Sequence, residues 1–346
     1  MKKLFSTIIC CLICSTAFMQ VKPEWQDETI PFVGKEYPRT AFMTYSDVNK
    51  ARSNDFNTSF DYKSLNGKWK FNWVSSYKKR PVNFYKTNFD DSTWEEIDVP
   101  ANWEVNGYGN ALYTNHPYEF CPRNPQPPLL PEENPVGSYR KYIEIPEQWN
   151  GKEIFLHIGA VKSGCYLYVN GTKVGYSEDS KDAVEYNITR YLKLGRNLIA
   201  LEVYRWSTGS YLECQDFWRI SGIERDVYLF AQLPLHLRDF SIRQDLDSTY
   251  KNGLFGLDLF MENTNPRQPG QVTVFYQLEN TSGTRVAEGT QTIKIDSIAT
   301  VHFDAKIAQV APWTAETPNI YPDRTTGENH RSHSFPGWFP KTGNPG

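Results

Sequence analysis

The sequence lacks the features of several common protein classes. Its 346 residues carry a formal net charge of −3 and an isoelectric point near 6.1, so no basic surface for a nucleic acid is predicted. The one long apolar run, Leu4–Ile13, is too short for a transmembrane helix. Between Lys22 and Pro234, no segment repeats apolar residues with the 3.6-residue period of a helix. We therefore expect no nucleic-acid partner, no transmembrane segment and no helical core in this part of the chain.

Cysteine is also scarce, and half of it lies near the N-terminus. Residues 1–20 combine Lys2 and Lys3, an apolar run and small residues at positions 15–17, which together are typical of a secretory signal. We therefore expect a secreted or periplasmic protein. A lipoprotein anchor at one of the three cysteines in this signal is the disfavoured alternative, because no small residue precedes any of them.

The remaining cysteines do not suggest a covalent framework or a metal site. They are Cys121, Cys165 and Cys214. Three cysteines are an odd and sparse set for a disulfide-stabilised fold, and neither CxxC nor a Cys/His zinc spacing occurs after residue 20.

The sequence of residues 21–234 predicts many short strands separated by turns. Ser64–Val74 alternates apolar and polar side chains, as a half-buried strand does. Asn170-Gly171 joins two alternating runs and is a strong signal for a tight hairpin turn. The proline-punctuated stretch 22–50 is expected to be an extended arm over this domain. The pattern predicts an all-β domain, most plausibly a two-sheet jelly roll.

The pattern of apolar and polar residues changes at Pro234. Five alternating runs follow, separated by Gly, Pro, Asn and Asp. They predict a second, smaller β-sandwich of immunoglobulin type over residues 235–321. This part carries no clustered carboxylates or histidines, so we expect it to act as a spacer between other domains.

The chemically richest stretch is Arg205–Tyr228, which lies between two strand-like apolar runs. Aromatic, acidic and arginine side chains are concentrated in it, and polar loops held on a rigid scaffold are where binding groups usually lie. An ordinary turn held by buried salt bridges is the alternative. A second long loop, 107–135, contains six prolines between Pro117 and Pro131 and is expected to be ordered and functional.

Several motifs resemble one enzyme family. The run Gly-Ser-Tyr-Leu-Glu-x-Gln-Asp-x-Trp-Arg-x-Ser-Gly-Ile at Gly209–Ile223 resembles the end of the first domain in glycoside hydrolase family 2, specifically in the large bacterial β-galactosidases. The Leu-Asn-Gly-x-Trp run at 65–69 and the Asp-x-Ser-x-Trp run that begins at Asp90 also match. The resemblance implies a retaining enzyme for terminal β-galactosides that uses Na and Mg ions and is usually a homo-oligomer.

The same resemblance implies two sugar-binding residues. Asn115, in Leu-Tyr-Thr-Asn, resembles the asparagine that hydrogen-bonds the galactosyl unit. Asp216, in Gln-Asp-x-Trp, resembles the aspartate that contacts the sugar's primary hydroxyl and helps to bind sodium. An amide both donates and accepts hydrogen bonds, and a carboxylate suits a hard cation. The alternatives are a turn-capping asparagine and an aspartate paired with Arg219 or Arg225.

No catalytic residue is assigned within the chain. Retaining glycoside hydrolysis needs two carboxyl groups about 5–5.5 Å apart, and the local candidates are Glu213 with Asp216, or Glu132 with Glu133. In the family that the motifs resemble, the catalytic glutamates lie on a following (β/α)8 barrel. No helix–strand alternation of that kind occurs in this sequence, so we expect the chain to lack its catalytic pair.

Other polar and aromatic residues are given structural or open roles. We expect an ion network that holds the loop, formed by Glu213, Arg205, Arg219 and Arg225. Four aromatic residues are left open between sugar stacking and core packing, and they are Trp103, Tyr108, Tyr113 and Trp206. Trp218 is expected to be in the core, because it lies between apolar strands.

The C-terminal stretch 322–346 is polar and rich in proline, without strand alternation. A back-translation of His330–Lys341 shifted by one base can read Thr-Glu-Val-Ile-Arg-Phe-Arg-Val-Gly-Phe-Arg-Lys, which is the strand signature that the family has at this point. We therefore hypothesise a frameshift near Tyr321–Pro322, which would leave the second sandwich incomplete. A natural disordered tail is the alternative, and resequencing the gene distinguishes them.

Two further functions remain open from the sequence. One is a stand-alone carbohydrate-binding module without chemistry. The other is a β-glucuronidase or β-mannosidase of the same family. The run Gln215–Trp218, with its aspartate, favours a β-galactosidase over these two enzymes.

Overall fold

A computed structural model describes residues 22–115, 118–213, 215–265, 267, 270–280, 282–319, 321–327 and 331–337. The predicted signal at residues 1–20 and Cys214 lie outside the described residues. The described chain is almost entirely β-structure, with one six-residue α-helix, α1, at Val48–Ser53. Short 3-10 turns occur at Glu24–Gln26, Phe56–Thr58, Tyr77–Lys79, Glu104–Asn106, Glu147–Trp149, Thr189–Tyr191 and Thr208–Tyr211.

The strands of the first domain are short and numerous. They are β1 Phe32–Val33, β2 Tyr62–Ser64, β3 Gly67–Val74, β4 Glu95–Val99, β5 Ala101–Asn102, β6 Leu112–Thr114, β7 Val136–Glu144, β8 Glu153–Ile158, β9 Val161–Lys162, β10 Gly164–Val169, β11 Thr172–Ser177, β12 Val184–Asn187, β13 Arg196–Tyr204, β14 Phe217–Arg219, β15 Gly222–Ile223 and β16 Val227–Gln232. A seven-stranded sheet in the order β1-β11-β10-β13-β7-β3-β4 packs on a four-stranded sheet in the order β12-β8-β16-β2. The domain is the predicted jelly-roll sandwich.

The core of this domain lies between the two sheets. Its largest fully buried side chains include Trp69, Phe71, Trp103 and Tyr139. Because both faces of β13 are covered, nearly all of its residues are buried. This rigid centre carries Arg205 at the C-terminal end of β13, and so it fixes where the chemically rich segment begins.

The predicted Asn-Gly hairpin is confirmed. Val169 pairs with Thr172 across the turn, and Asn170 and Gly171 adopt φ angles of 51° and 89°. Both angles lie in the left-handed region that a two-residue primed turn requires. The Asn170 carboxamide also accepts a hydrogen bond from the Leu198 N–H at 2.9 Å, which ties the hairpin to β13.

The second domain contains the five predicted strands and a further hairpin. The strands are β17 Leu235–Leu246, β18 Gly253–Asn263, β19 Gly270–Glu279, β20 Arg285–Ile295, β21 Ile298–Ile307, β22 Tyr321–Gly327 and β23 Arg331–Gly337. Sheets β17-β18-β21 and β20-β19-β22-β23 enclose a core that includes Leu257, Leu259, Val274 and Tyr276. This is an immunoglobulin-like sandwich, and no (β/α)8 barrel is present among the described residues.

The structure contains two strands, β22 and β23, where the sequence predicted a tail without strands. The absence of strand alternation after residue 321 predicted no further strands, yet β22 pairs with β19 and β23 pairs with β22. Ladder hydrogen bonds join backbone groups, so an open sheet edge can accept an extended segment that lacks an apolar alternation. The frameshift hypothesis concerns the gene and remains a prediction.

The arm, residues 22–50, is extended as predicted up to the start of α1, and it contacts both domains. Trp25 stacks on Tyr204 with ring centroids 4.8 Å apart, and β1 pairs with β11. Further along, Phe42 enters the core of the second domain, and the Thr40 N–H donates to Asp239 Oδ1 at 2.9 Å. The contacts to the second domain were not predicted from the sequence. Among the described residues, no helix has the length and apolar character needed to cross a membrane.

Candidate functional site

A two-stranded ribbon brings the two predicted sugar-binding residues together. Strands β6 and β14 are antiparallel, with Trp218 opposite Tyr113 and Phe217 opposite Thr114. Asn115 directly follows β6 and Asp216 directly precedes β14, so both residues lie at the same end of the ribbon. The fold thus brings to one place two residues that the sequence keeps far apart.

Tyr113 and Trp218 form a cross-strand pair on one face of the ribbon. Both aromatic rings are open to solvent, with Tyr113 62% and Trp218 55% exposed. Their centroids lie 5.6 Å apart at an interplanar angle of 62°.

The expectation that Trp218 belongs to the core is therefore wrong. The apolar strands on either side of Trp218 suggested that its side chain is buried. The alternation of side chains along β14 instead directs Phe217 and Arg219 inward and Trp218 outward. Tyr113 is likewise on the surface. The other aromatic candidates differ. Trp103 is fully buried and donates a hydrogen bond to the Tyr139 hydroxyl.

The remaining two candidates, Tyr108 and Trp206, are less exposed than Tyr113 and Trp218. Tyr108 packs against the core of the first domain, and its hydroxyl donates to Glu95. Trp206 is half-buried, and its indole N–H donates to Glu119 Oε1 at 3.0 Å. Among the five aromatic candidates, exposure therefore singles out Tyr113 and Trp218 as the rings available to a ligand.

The inner face of the ribbon is anchored by cations around Phe217. The Lys162 ammonium and the Arg219 guanidinium each lie 5.3 Å from the centre of the ring. The Lys181 ammonium lies 5.4 Å from the same centre. Cations near an aromatic ring are attracted by its quadrupole, and burial lowers the pKa of Lys162. These contacts fix the direction in which the opposite face of the ribbon points.

Buried ion pairs hold the segment to its surroundings. The Arg205 guanidinium lies 2.9 Å from Glu104, and both side chains are almost completely buried. The Ser221 N–H also donates to Glu104 at 2.8 Å. Burial raises the pKa of Glu104, and these two groups oppose the rise only in part. Arg219 lies 3.7 Å from Glu119.

Arg205 and Arg219 anchor the segment through ion pairs, as expected. Their carboxylate partners come from outside the segment. The other two predicted members of the network, Glu213 and Arg225, do not take part in these ion pairs. Glu213 instead accepts hydrogen bonds from Ser180, including one from the Ser180 N–H at 2.7 Å. Arg225 donates to the Lys181 carbonyl at 2.9 Å. The segment folds back over flanking turns, so its charged groups meet residues that are distant in sequence.

The long proline-rich loop packs against the segment, which explains its order. The Phe120 ring lies 5.6 Å from Trp206 and 5.1 Å from Tyr211. The Tyr211 hydroxyl donates to the Leu129 carbonyl at 2.5 Å. The loop also supplies β6, so half of the ribbon comes from it.

Two of the four carboxylates considered for catalysis, Glu132 and Glu213, have structural partners. Glu132 forms an exposed ion pair with Lys78 at 2.9 Å, and Glu213 is held by Ser180. Burial raises the pKa of Glu213, while the Ser180 hydrogen bonds act in the opposite direction. These contacts favour a supporting role over a reacting one.

The residues present fit a sodium ion only in part. Asp216 and Asn115 offer carboxylate and amide oxygens, which are the ligands that hard cations prefer. Further oxygens would have to come from other groups. Among the described residues, no three His, Cys, Asp or Glu side chains are arranged to hold a metal.

Comparison with known proteins agrees with this architecture. Residues 62–234 match the model of the "Glycosyl hydrolases family 2, sugar binding domain", and residues 235–330 match "Glycosyl hydrolases family 2". The two sandwiches therefore define the N-terminal region of a family 2 glycosidase. The chain belongs to glycoside hydrolase family 2.

Curated relatives are similar over most of this chain. A beta-galactosidase of Priestia megaterium is 36% identical over 304 residues, which cover 86% of this chain and 29% of the relative. One of Halalkalibacterium halodurans is 38% identical over 260 residues, or 75% of this chain and 25% of the relative. The chain thus spans between a quarter and a third of the length of these relatives.

Solved structures share the fold at lower identity. Bacteroides uniformis beta-glucuronidase 2, bound covalently to cyclophellitol-6-carboxylate aziridine, superposes with a TM-score of 0.65 at 22% identity over 80% of this chain and 32% of its own. A beta-glycosidase from Bacteroides vulgatus gives a TM-score of 0.63 at 20% identity, over 81% and 34% of the two chains. These likenesses show the fold alone.

Proposed function

We propose that the chain is the substrate-binding N-terminal part of a β-galactosidase that hydrolyses terminal non-reducing β-D-galactosides with retention. The similarity to curated beta-galactosidases supports this function. The single structural observation that carries it is the ribbon, which places Asn115 and Asp216 at the same end of the β6–β14 pair. An amide and a carboxylate near one another match the hydroxyl-rich edge of a sugar.

The ribbon's role is to bind and orient the galactosyl unit. The Asn115 carboxamide donates to one sugar oxygen and accepts from another hydroxyl, while the Asp216 carboxylate accepts from the primary hydroxyl. A sodium ion, when bound, would supply positive charge and oxygen coordination at Asp216. The anchored inner face keeps both groups in position, and precise positioning of the reacting sugar lowers the barrier to reaction.

The reacting carboxyl groups are proposed to lie outside this sequence. Retaining hydrolysis uses one acid and one nucleophile about 5–5.5 Å apart. We propose that a (β/α)8 barrel supplies both, with Mg and Na ions as the full enzyme's metals. We also propose a secreted or periplasmic location and a homo-oligomeric enzyme. The chain alone is expected to be inactive.

The test compares the 346-residue chain with a protein extended by the coding sequence that follows it. The chain alone should not hydrolyse a chromogenic β-galactoside, whereas the extended protein should. In the extended protein, Asp216→Ala should lower kcat/KM by about tenfold to a hundredfold, because a hydrogen bond to a charged group contributes about 1.5–3 kcal/mol. Asp98→Ala is the matched control, since Asp98 is an exposed carboxylate paired with Lys68.

Two results would overturn the proposal. One is hydrolysis by the chain alone that is abolished by Asp216→Ala, which would place the reacting groups within it. The other is an extended protein that prefers a β-glucuronide or a β-mannoside, which would assign it to another specificity. Strong binding of polysaccharide by the chain alone, with no activity in the extended protein, would favour a carbohydrate-binding module.

A further inference from the structure

A cleft of about 390 Å³ lies between the arm and the turn that begins at Thr208. The arm contributes Phe32 and Lys35, and the end of β11 with the two residues after it contributes Ser177, Glu178 and Asp179. Leu212 and Glu213 close the opposite wall. The volume falls within the range of small-molecule sites. Asn115 and Asp216 do not line this cleft, so it differs from the ribbon face.

The cleft offers apolar surface that nothing in the described residues covers. Phe32 is 55% exposed and Leu212 is 85% exposed. The backbone of Phe32 is held in β1 by pairing with Ser177, so the ring is presented on a fixed strand. An exposed aromatic face on a rigid support suits the apolar C–H face of a pyranose ring.

A buried hydroxyl in the wall lacks a partner. Ser177 is only 2% exposed, and its Oγ has no hydrogen-bond partner among the described residues. Leaving such a group unsatisfied is unfavourable, and buried polar groups usually have a partner. Because the Oγ is itself covered, a ligand hydroxyl in the cleft would reach and satisfy it only after a small displacement of the neighbouring atoms.

The charges of the cleft select against an anion. Three carboxylates, Glu178, Asp179 and Glu213, face a single ammonium, and Lys35 already lies 3.9 Å from Asp179. Carboxylates are acceptors for sugar hydroxyls, and they repel another carboxylate.

We propose that this cleft is a second sugar-binding site, which takes one neutral pyranose unit of an oligosaccharide. Phe32 provides the stacking face, Ser177 and Asp179 bind hydroxyls, and the carboxylates exclude uronic acids. The residues that line the cleft do not include Asp216, so its binding can be tested apart from the role of Asp216.

The test measures binding by the full chain, using calorimetry and saturation-transfer NMR. The probes are β-1,4-galactotetraose as the neutral sugar and tetragalacturonate as the anionic one. The neutral probe should bind and the anionic probe should not. Phe32→Ala should weaken binding by about fivefold or more, the scale of a lost aromatic contact. Phe60→Ala is the matched control, because Phe60 is 64% exposed elsewhere on the surface.

A second variant separates binding from folding. Ser177→Ala should weaken binding of the neutral probe, yet leave the midpoint of thermal unfolding unchanged or higher, because it removes an unpartnered buried hydroxyl. Failure of the neutral probe to bind at about 20 mM, or equal binding by Phe32→Ala, overturns the proposal. Loss of binding in Asp216→Ala but not in Phe32→Ala would place the sugar at the ribbon and overturn only the second site.

Discussion

Removal of the Arg39 side chain should weaken the attachment of the arm to the first domain. Arg39 donates from Nε and Nη2 to the two carboxylate oxygens of Glu185, at 2.8 Å and 3.0 Å. The side chains are 4% and 10% exposed. The guanidinium also lies 4.8 Å from the Phe42 ring centre and 4.6 Å from that of Phe230. His157 Nδ1 lies 2.9 Å from the same carboxylate.

Two arguments give a similar magnitude for Arg39→Ala. Removing one partner of a buried ion pair costs about 3–5 kcal/mol, because the other charge stays buried. Burial by itself would raise the pKa of Glu185, but the His157 hydrogen bond and the Arg39 charge outweigh it and lower the pKa to about 2. Relative to an ordinary glutamate, that pKa corresponds to about 3 kcal/mol, to which His157 and Arg39 both contribute. We expect a loss of about 3 kcal/mol.

The loss should depend on pH in a defined direction. A depressed folded-state pKa stabilises the fold above the unfolded-state pKa of glutamate, and this stabilisation is lost as the pH falls through about 2. Wild-type stability should therefore decrease between about pH 4.5 and pH 2. In Arg39→Ala the pKa of Glu185 is closer to its ordinary value, so the difference between the two proteins should shrink across that window.

Urea unfolding followed by tryptophan fluorescence measures both effects. Lys68→Ala is the control, because Lys68 and Asp98 are 61% and 58% exposed and such pairs contribute about 0–1 kcal/mol. A loss below about 1 kcal/mol for Arg39→Ala, or a difference that does not change with pH, would refute the reasoning.

Further predictions concern the core and the ribbon. Gly137→Ala should destabilise the first domain by about 1–3 kcal/mol or more in urea unfolding, because its Cβ would lie 2.5 Å from the Trp103 ring; a neutral result would contradict the packing described. Trp103→Ala should cost about 3–5 kcal/mol, whereas the exposed Trp218→Ala should cost less than about 1 kcal/mol by the same measurement. Asn170→Ala should cost about 2–3 kcal/mol, since it loses the Leu198 hydrogen bond and forces alanine to a φ of 51°; an unchanged unfolding midpoint would argue against the hairpin turn.

Local signals predicted the fold class well, because they depend on neighbours in sequence. Strand alternation identified the five runs that form β17–β21. The Asn170-Gly171 hairpin followed from the backbone angles that two residues must adopt. Strands β22 and β23 were missed, because edge pairing depends on the neighbouring strand rather than on the residue types of the added one.

The site was predictable only in part. The sequence by itself determined the two sandwiches, the family motifs and the identities of Asn115 and Asp216 as candidates. Only the tertiary structure brought these two residues to the same end of the β6–β14 ribbon and turned Trp218 outward. It also gave Arg205 and Arg219 their partners in Glu104 and Glu119. The physical reason is that ion pairs, exposure and cross-strand neighbours depend on which distant segments meet, and a single sequence does not state which segments do.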